Sequence, residues 1–129
     1  MADAVCIIVD PDIGERLSSL AETMPVWIAD TEANHKTVER YRDARDRPPS
    51  SHTEIGAVTT FRVDSSESPV DWAIAILSDV DLHHGRYSQS PPYSALEIIG
   101  VRATAELRDA LAEYDLRTIV ETTTGFRAE

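Results

Sequence analysis

The chain has 129 residues, of which 42% are hydrophobic and 27% charged, and this composition is typical of one globular domain with its own core. Its formal net charge of −11 argues against binding nucleic acid through phosphates, which requires a basic surface, and it favours a basic protein partner. The longest apolar runs have six residues. A membrane-spanning helix needs about 20, and no signal peptide begins the sequence, so we expect a cytoplasmic protein without membrane contact.

The first predicted strand covers residues 4–9, a run of six apolar residues rich in β-branched side chains. Such a strand is buried on both faces, as in a parallel sheet that helices cover on both sides. Asp10 can cap a following helix, Pro11 suits its first turn, and Asp12 complements the helix dipole. The apolar spacing then predicts a helix over residues 11–24.

A short second strand is predicted over residues 26–29, after a proline that ends the first helix. Asp30 or Thr31 caps a second helix that runs to about residue 47. This helix has a thin apolar stripe and is locally basic, so most of its surface is expected to be solvated. A proline- and serine-rich break follows at residues 48–51.

The third strand, residues 54–63, alternates apolar and polar side chains. Alternation of this kind predicts a strand near an edge of the sheet and leaves an antiparallel orientation open. Ser68 and Pro69 are typical of a helix start, and Gly85 is typical of a helix end. We therefore predict a third helix over residues 69–84.

The rest of the chain predicts a loop, two strands and a helix. The loop covers residues 85–94, and an apolar strand follows at 95–101. Thr104 caps the fourth helix. A last strand is predicted over residues 116–123, and residues 125–129 are expected to fray.

Five strands that alternate with four helices predict an α/β fold. The expected architecture is a three-layer sandwich with a mostly parallel or mixed sheet, formed by residues 1–129 as one domain. An α+β arrangement, with the helices on one face of the sheet, is the alternative.

Ligands of open α/β sheets bind beyond the carboxyl ends of the strands, where this chain places Asp10, Asp12 and Asp64. Together these carboxylates would suit Mg²⁺. The start of the chain and the order of its elements resemble a response-regulator receiver domain, in which paired acids follow the first strand and bind Mg²⁺ near a phosphorylated aspartate. The chain departs from that pattern after the last strand, where residues 122–124 are threonines and no lysine is present. The alternative interpretation is that Asp10 caps a helix, Asp12 interacts with the helix dipole and Asp64 is a turn residue.

A second candidate surface lies at the end of the third helix and in the loop after it. Asp79 and His83 are four residues apart and share a face of the helix, and Asp81 lies between them in sequence. Tyr87 and Tyr93 flank two prolines in the loop. Tyrosines in a rigid loop provide contact area at low entropic cost. The alternative interpretation is that the tyrosines cover the edge of the sheet and that the helix dipole alone stabilises the histidine.

No sequence signature of a nucleophilic, phosphate-binding or zinc-dependent enzyme is present, and Cys6 lies in the first apolar strand, as a core thiol would. The sequence therefore predicts a small acidic protein-binding module, like an inhibitor, immunity protein or adaptor, without catalysis and without a cofactor. A degenerate receiver-like or other small-ligand domain that binds Mg²⁺ is the alternative. A third hypothesis is a homodimer in which the last strand pairs as an edge. The partner, the strand order and the oligomeric state are left open.

Overall fold

The computed structural model describes residues 4–44, 57–84 and 93–129. The predicted break at 48–51 and most of the predicted loop at 85–94 lie outside these ranges. The elements, in chain order, are β1 (Ala4–Ile8), α1 (Arg16–Thr23), β2 (Val26–Ala29), α2 (Glu32–Ala44), β3 (Val58–Phe61), α3 (Pro69–His84), β4 (Ala95–Ile99), α4 (Ala105–Ala112), β5 (Ile119–Glu121) and β6 (Gly125–Ala128).

All of the described strands belong to one mixed sheet with the order β3-β2-β1-β4-β6-β5. The first four strands are parallel to one another, and β6 runs antiparallel to both of its neighbours. The α/β class is therefore confirmed, with six strands where the sequence predicted about five. The parallel part arises from helical crossovers, which return the chain to the same end of the sheet.

Two separate hydrophobic clusters lie on opposite faces of the sheet, and β1 contributes to both. Val5, Ile7 and Val9 pack with residues of α3 and α4, whereas Cys6 and Ile8 pack with residues of α1 and α2. Each of these five side chains is at most 3% exposed. Helices therefore cover both faces, which makes the fold a three-layer sandwich and excludes the α+β alternative.

The first helix begins later than the sequence predicted, at Arg16 in place of residue 11. Asp10 is not its cap, because its carboxylate accepts a hydrogen bond from the backbone N–H of Asp12 and holds a turn. The chain then passes through Gly14, whose φ of +61° is a left-handed conformation that a helix cannot contain. The prediction was wrong here because a short polar side chain followed by proline is as typical of a turn as of a helix start.

The third strand is shorter than predicted and runs parallel to β2 at the edge of the sheet. Its edge position is confirmed, while the antiparallel orientation that the alternation left open is not adopted. Residues 54–56 of the predicted strand lie outside the described ranges. Since α2 connects β2 to β3, the parallel orientation is what a helical crossover requires.

The end of the chain does not fray as the sequence predicted. Residues 125–128 form β6, which lies between β4 and β5 inside the sheet. The side chains of Phe126 and Ala128 are fully buried. Gly125 passes so close to the carbonyl of Ile98 that a Cβ atom would clash with it. The strand that the sequence predicted as the last one is therefore β5, which lies at the edge of the sheet. The strand that is last in the chain, β6, lies between β4 and β5.

The starts of α3 and α4 are as predicted. Ser68 and Asp71 form a reciprocal capping box at the start of α3, each accepting a hydrogen bond from the backbone N–H of the other. The hydroxyl of Thr104 accepts a hydrogen bond from the N–H of Leu107 at the start of α4. These caps fix where both helices of one layer begin.

Candidate functional site

The turn after β1 is held by an ion pair instead of being open to a ligand. One carboxylate oxygen of Asp10 lies 2.9 Å from the guanidinium of Arg16, and the other accepts the N–H of Asp12 at 3.0 Å. Both oxygens of this carboxylate therefore have a partner from the chain itself.

A buried amide, Asn34, joins this turn to the start of α2. Its side chain is fully buried, its Oδ1 accepts the N–H of Ile13 at 2.9 Å, and its Nδ2 donates to the carbonyls of Asp10 and Ala29. The hydroxyl of Thr31 donates a further hydrogen bond of 2.6 Å to the carbonyl of Pro11, which follows Asp10 in the turn. Asn34 thus binds backbone groups that follow β1 and end β2, where the carbonyl of Ala29 also accepts the N–H of Thr31.

The three aspartates of the predicted magnesium site are not brought together. Among the residues that the structure describes, no group of three or more His, Cys, Asp or Glu side chains is placed to hold a metal ion. Asp10 and Asp64 follow β1 and β3, and β2 lies between these strands, which separates the strand axes by about 10 Å. Hydrogen bonds from the backbone N–H and hydroxyl of Ser66 lower the pKa of Asp64, so this carboxylate serves its own turn.

The crevice typical of ligand binding in an α/β sheet lies where the strand order reverses, here between β1 and β4. At this point Gly100 lies against the backbone of Asp10, with a φ of +107°. A Cβ atom at Gly100 would clash with the nitrogen of Asp10, so the two strand ends touch without space for a methyl group. The threonines at 122–124 lie in the hairpin turn between β5 and β6, where the Thr122 hydroxyl accepts the N–H of Gly125.

An open groove of about 370 Å³ lies beside α2, near the turn that follows β1. Its charged side chains are of both signs, and two pairs of its residues already contact each other. Lys36 lies 3.7 Å from Glu32, and Arg40 lies within 3.4 Å of the Thr37 hydroxyl. The groove is lined by Asp12, Glu32, Ala33, Lys36, Thr37 and Arg40.

His35 on α2 stands between two carboxylates. Its Nδ1 lies 3.0 Å from Asp30 and its Nε2 lies 2.6 Å from Glu39. The hydrogen bond and the charge of Asp30, followed by the charge of Glu39, raise the pKa of His35 above its ordinary value of 6.5. Because the two carboxylates lie on opposite sides of the ring, they bind a protonated imidazole and do not converge on one metal position.

The predicted partner surface at the end of α3 is described only in part. The side chain of His83 and all of Tyr87 lie outside the described residues. Tyr93 is half-buried against the core of the α3 and α4 side, and burial together with Asp81 raises its pKa. In the structure Tyr93 therefore packs against the core, and Asp81 lies close enough for its carboxylate to act on the phenol.

The two helical layers carry different charges, and the sequence prediction had not separated them. In α1 and α2, four acidic residues balance four basic ones, with histidine counted as neutral. In α3 and α4, five acidic residues face a single arginine. The five acids are Asp71, Asp79, Asp81, Glu106 and Asp109, and the arginine is Arg108.

An exposed apolar side chain lies within the acidic layer. Leu82, in the last turns of α3, is 71% exposed and follows directly after Asp81. The other large hydrophobic side chain that is exposed in the described ranges is Val120 on β5, at 51%. The sequence did not single out Leu82, because a leucine next to a buried helical stripe shows its exposure only once the phase of the helix is known.

Comparison of the chain with protein-family models, with curated proteins and with solved structures gave no match. In the described ranges, no helix combines the length and the apolar character that crossing a membrane requires. The geometry and the charges described above are therefore the basis for the function proposed next.

Proposed function

We propose that this chain is a non-catalytic binding module that uses the outer surface of α3 and α4 to bind a basic protein. The observation that carries the proposal is the charge difference between the layers, five acids against one arginine on α3 and α4 and an even balance on α1 and α2. The net charge of −11 supports it further. A field of one sign on one side orients an approaching partner of the opposite sign before contact.

Leu82 supplies the apolar contact that an acidic surface alone lacks. Charged residues at an interface mainly raise the association rate, whereas desolvated apolar side chains slow dissociation. A 71% exposed leucine beside Asp79 and Asp81 provides both kinds of group on one helix. The bound partner would accordingly present an apolar side chain surrounded by lysines or arginines.

The alternative function, a receiver-like or other domain that binds Mg²⁺ through Asp10, Asp12 and Asp64, has less support. The carboxylate of Asp10 is engaged by Arg16 and by the turn, and Asp64 is engaged by Ser66. We therefore place the functional surface on the acidic layer and not at the strand ends.

The test begins with affinity capture of the tagged chain from its native lysate at low and at high salt, with the captured protein identified by mass spectrometry. The purified partner is then used for association kinetics. Replacing Asp109 and Glu113, both exposed, with lysine is expected to slow association about tenfold and to flatten its salt dependence.

The matched control places the same two charge changes on the other layer, at Glu22 and Asp43, which are also exposed. This variant has the same net charge as the first one but leaves the surface of α3 and α4 unchanged, so we expect it to retain most of the association rate. Equal slowing in both variants would show that only net charge matters and would contradict a specific acidic surface. A captured partner that is acidic would contradict the proposal outright.

A second pair of variants tests the apolar contact. Leu82→Ser is expected to raise the dissociation rate with little change in association, whereas Val120→Ser, on β5 and outside α3 and α4, is expected to leave both rates unchanged. If Leu82→Ser has no effect on dissociation, Leu82 is not part of the interface.

A further inference from the structure

Along the outer edge of β5, peptide groups have no partner among the residues that the structure describes. Thr118 and Glu129 exchange both of their backbone hydrogen bonds, and the N–H of Thr122 donates to the carbonyl of Gly125. The peptide groups of alternate residues in an antiparallel strand point in opposite directions. Those of residues 117, 119 and 121 consequently point away from β6, toward the outside of the sheet.

The two edges of the sheet differ in how they are protected. At β3, the guanidinium of Arg42 donates a hydrogen bond of 2.7 Å to the carbonyl of Val58. Within the described ranges, no side chain makes such a bond to a peptide group of Ile119 or Glu121. An uncovered edge is a template for pairing with another strand.

We propose that β5 pairs antiparallel with β5 of a second copy, about a two-fold axis at Ile119. In this register Ile119 lies opposite Ile119 of the second copy, and Arg117 lies opposite Glu121 of the second copy. The symmetry repeats that pair, so the edge carries two opposite-charge contacts that match each other. This charge complementarity is what selects a second copy as the occupant of the edge.

The neighbouring registers lack this match. A shift by two residues in one direction sets Asp115 opposite Glu121, which places like charges across from each other, and a shift in the other direction sets Arg117 opposite Thr123. Among the described residues of the monomer, the contact given for the Arg117 side chain is one of 3.5 Å with Asp115, and both side chains are about 70% exposed. Arg117 is therefore able to turn toward a second copy at little cost.

The paired edges would join two six-stranded sheets into one continuous sheet across the dimer. On the face of the sheet opposite to the Ile119 side chain, Thr118 would lie beside Val120 of the second copy. It would cover part of this valine, which is half-exposed in the monomer. This proposal is independent of the acidic surface of α3 and α4, because β5 lies at the sheet edge and shares no residue with that surface.

Sedimentation equilibrium of charge-swapped variants tests the proposal. The unmodified chain is expected to show a mass that rises with concentration from 14.3 kDa toward twice that value. R117E and E121R each place like charges opposite each other twice per dimer, and each is expected to weaken dimerisation about tenfold. The double variant R117E/E121R restores both pairs and is expected to recover the original dissociation constant.

R62E and E22R are the matched controls, since they make the same charge changes at exposed positions away from β5. Both are expected to dimerise like the unmodified chain. A chain that remains monomeric at all concentrations would overturn the proposal, and so would a double variant that is weaker than either single variant.

Cysteine cross-linking then determines the register. In the proposed pairing Thr118 lies opposite Val120, so an oxidised equal mixture of T118C and V120C is expected to form cross-linked dimers that neither variant forms alone. Cross-linking of T118C alone or of V120C alone would indicate one of the two shifted registers and would overturn the proposed one. Burial raises the pKa of the Cys6 thiol to about 12, so the native cysteine does not compete.

Discussion

The two helical layers of this sandwich are held to the same sheet by different means. The α3 and α4 side buries both tryptophans together with Phe126, whereas the α1 and α2 side has a smaller cluster joined to the strand ends by the amide of Asn34. The layer that relies on apolar volume carries an unbalanced acidic exterior, and the layer with a buried hydrogen-bond centre has balanced charges. The comparison shows that the two layers differ both in how they are held to the sheet and in the charge of their outer surfaces.

The largest effect is expected from Phe126→Ala, which removes a fully buried ring from the α3 and α4 side. Loss of transfer free energy and the remaining cavity are expected to lower the free energy of unfolding by about 4 kcal/mol, measured by urea denaturation. Phe126→Leu is the control and is expected to lose less than about 1.5 kcal/mol, because it keeps most of the volume. Equal losses in the two variants would show that ring volume is not what stabilises this layer.

Asn34→Ala is the corresponding test of the α1 and α2 side. It leaves the N–H of Ile13 and the carbonyl of Asp10 without this partner and removes one of two hydrogen bonds to the carbonyl of Ala29, which also accepts the N–H of Thr31. We therefore expect a loss of about 3 kcal/mol in the free energy of unfolding. Thr37→Val is the control, at a buried position on the same helix. The hydroxyl that it removes donates to the carbonyl of Ala33 and accepts from Arg40, and both partners belong to α2. A loss for Asn34→Ala no larger than the Thr37→Val loss would contradict the assigned role of the amide.

The helix starts provide a smaller contrast between the layers. Thr104 caps α4 through its hydroxyl, whereas Glu15 at the start of α1 makes no side-chain cap. Thr104→Ala is expected to cost about 1 kcal/mol of unfolding free energy, while Glu15→Ala is expected to remain within about 0.5 kcal/mol of the original chain. Thermal unfolding of the two variants side by side measures the difference, and a reversed order would contradict it.

The smallest effect concerns the pH dependence of the α1 and α2 layer. Asp30 and Glu39 raise the pKa of His35 in the folded chain above 6.5, so the protonated imidazole stabilises the folded state. This stabilisation is fully present below pH 6.5 and is lost as the pH rises through the folded pKa. The original chain is therefore expected to have a higher Tm than H35Q below pH 6.5, and this difference in Tm is expected to decrease as the pH rises through the folded pKa. An NMR titration of the imidazole measures the pKa directly, and D30N is expected to lower it. A pKa at or below 6.5 would contradict the prediction.

Much of the fold was predictable because several elements carry local signals. The continuous apolar run of β1 indicated a strand buried on both faces, and the caps at Ser68 and Thr104 indicated where α3 and α4 begin. β6 was missed because its sequence is short and contains a glycine and an arginine. Its strand state depends on Phe126 reaching the core and on Arg127 pairing with Glu97 at 2.7 Å, both contacts with distant parts of the chain.

The candidate sites were harder to predict than the fold. The partners of Asn34 at Asp10 and Ile13 lie 24 and 21 residues away, so no local pattern distinguishes this buried amide from a solvated one. The acids after the strands looked alike in sequence, yet Asp10 is paired with Arg16 and Asp64 with Ser66. The charge difference between the layers was hidden because it appears only after the helices are assigned to opposite faces.

The placement of β6 between β4 and β5 has a consequence for synthesis on the ribosome. The chain emerges in sequence order, so β1 to β4 can assemble their parallel sheet while β5 has no neighbour to pair with. Only when β6 has emerged does β5 acquire its place, as the second arm of a hairpin docked on β4. A nascent chain that ends after β5 would therefore expose the flank of β4 and recruit chaperones, and release of that binding would mark the moment at which the hairpin docks.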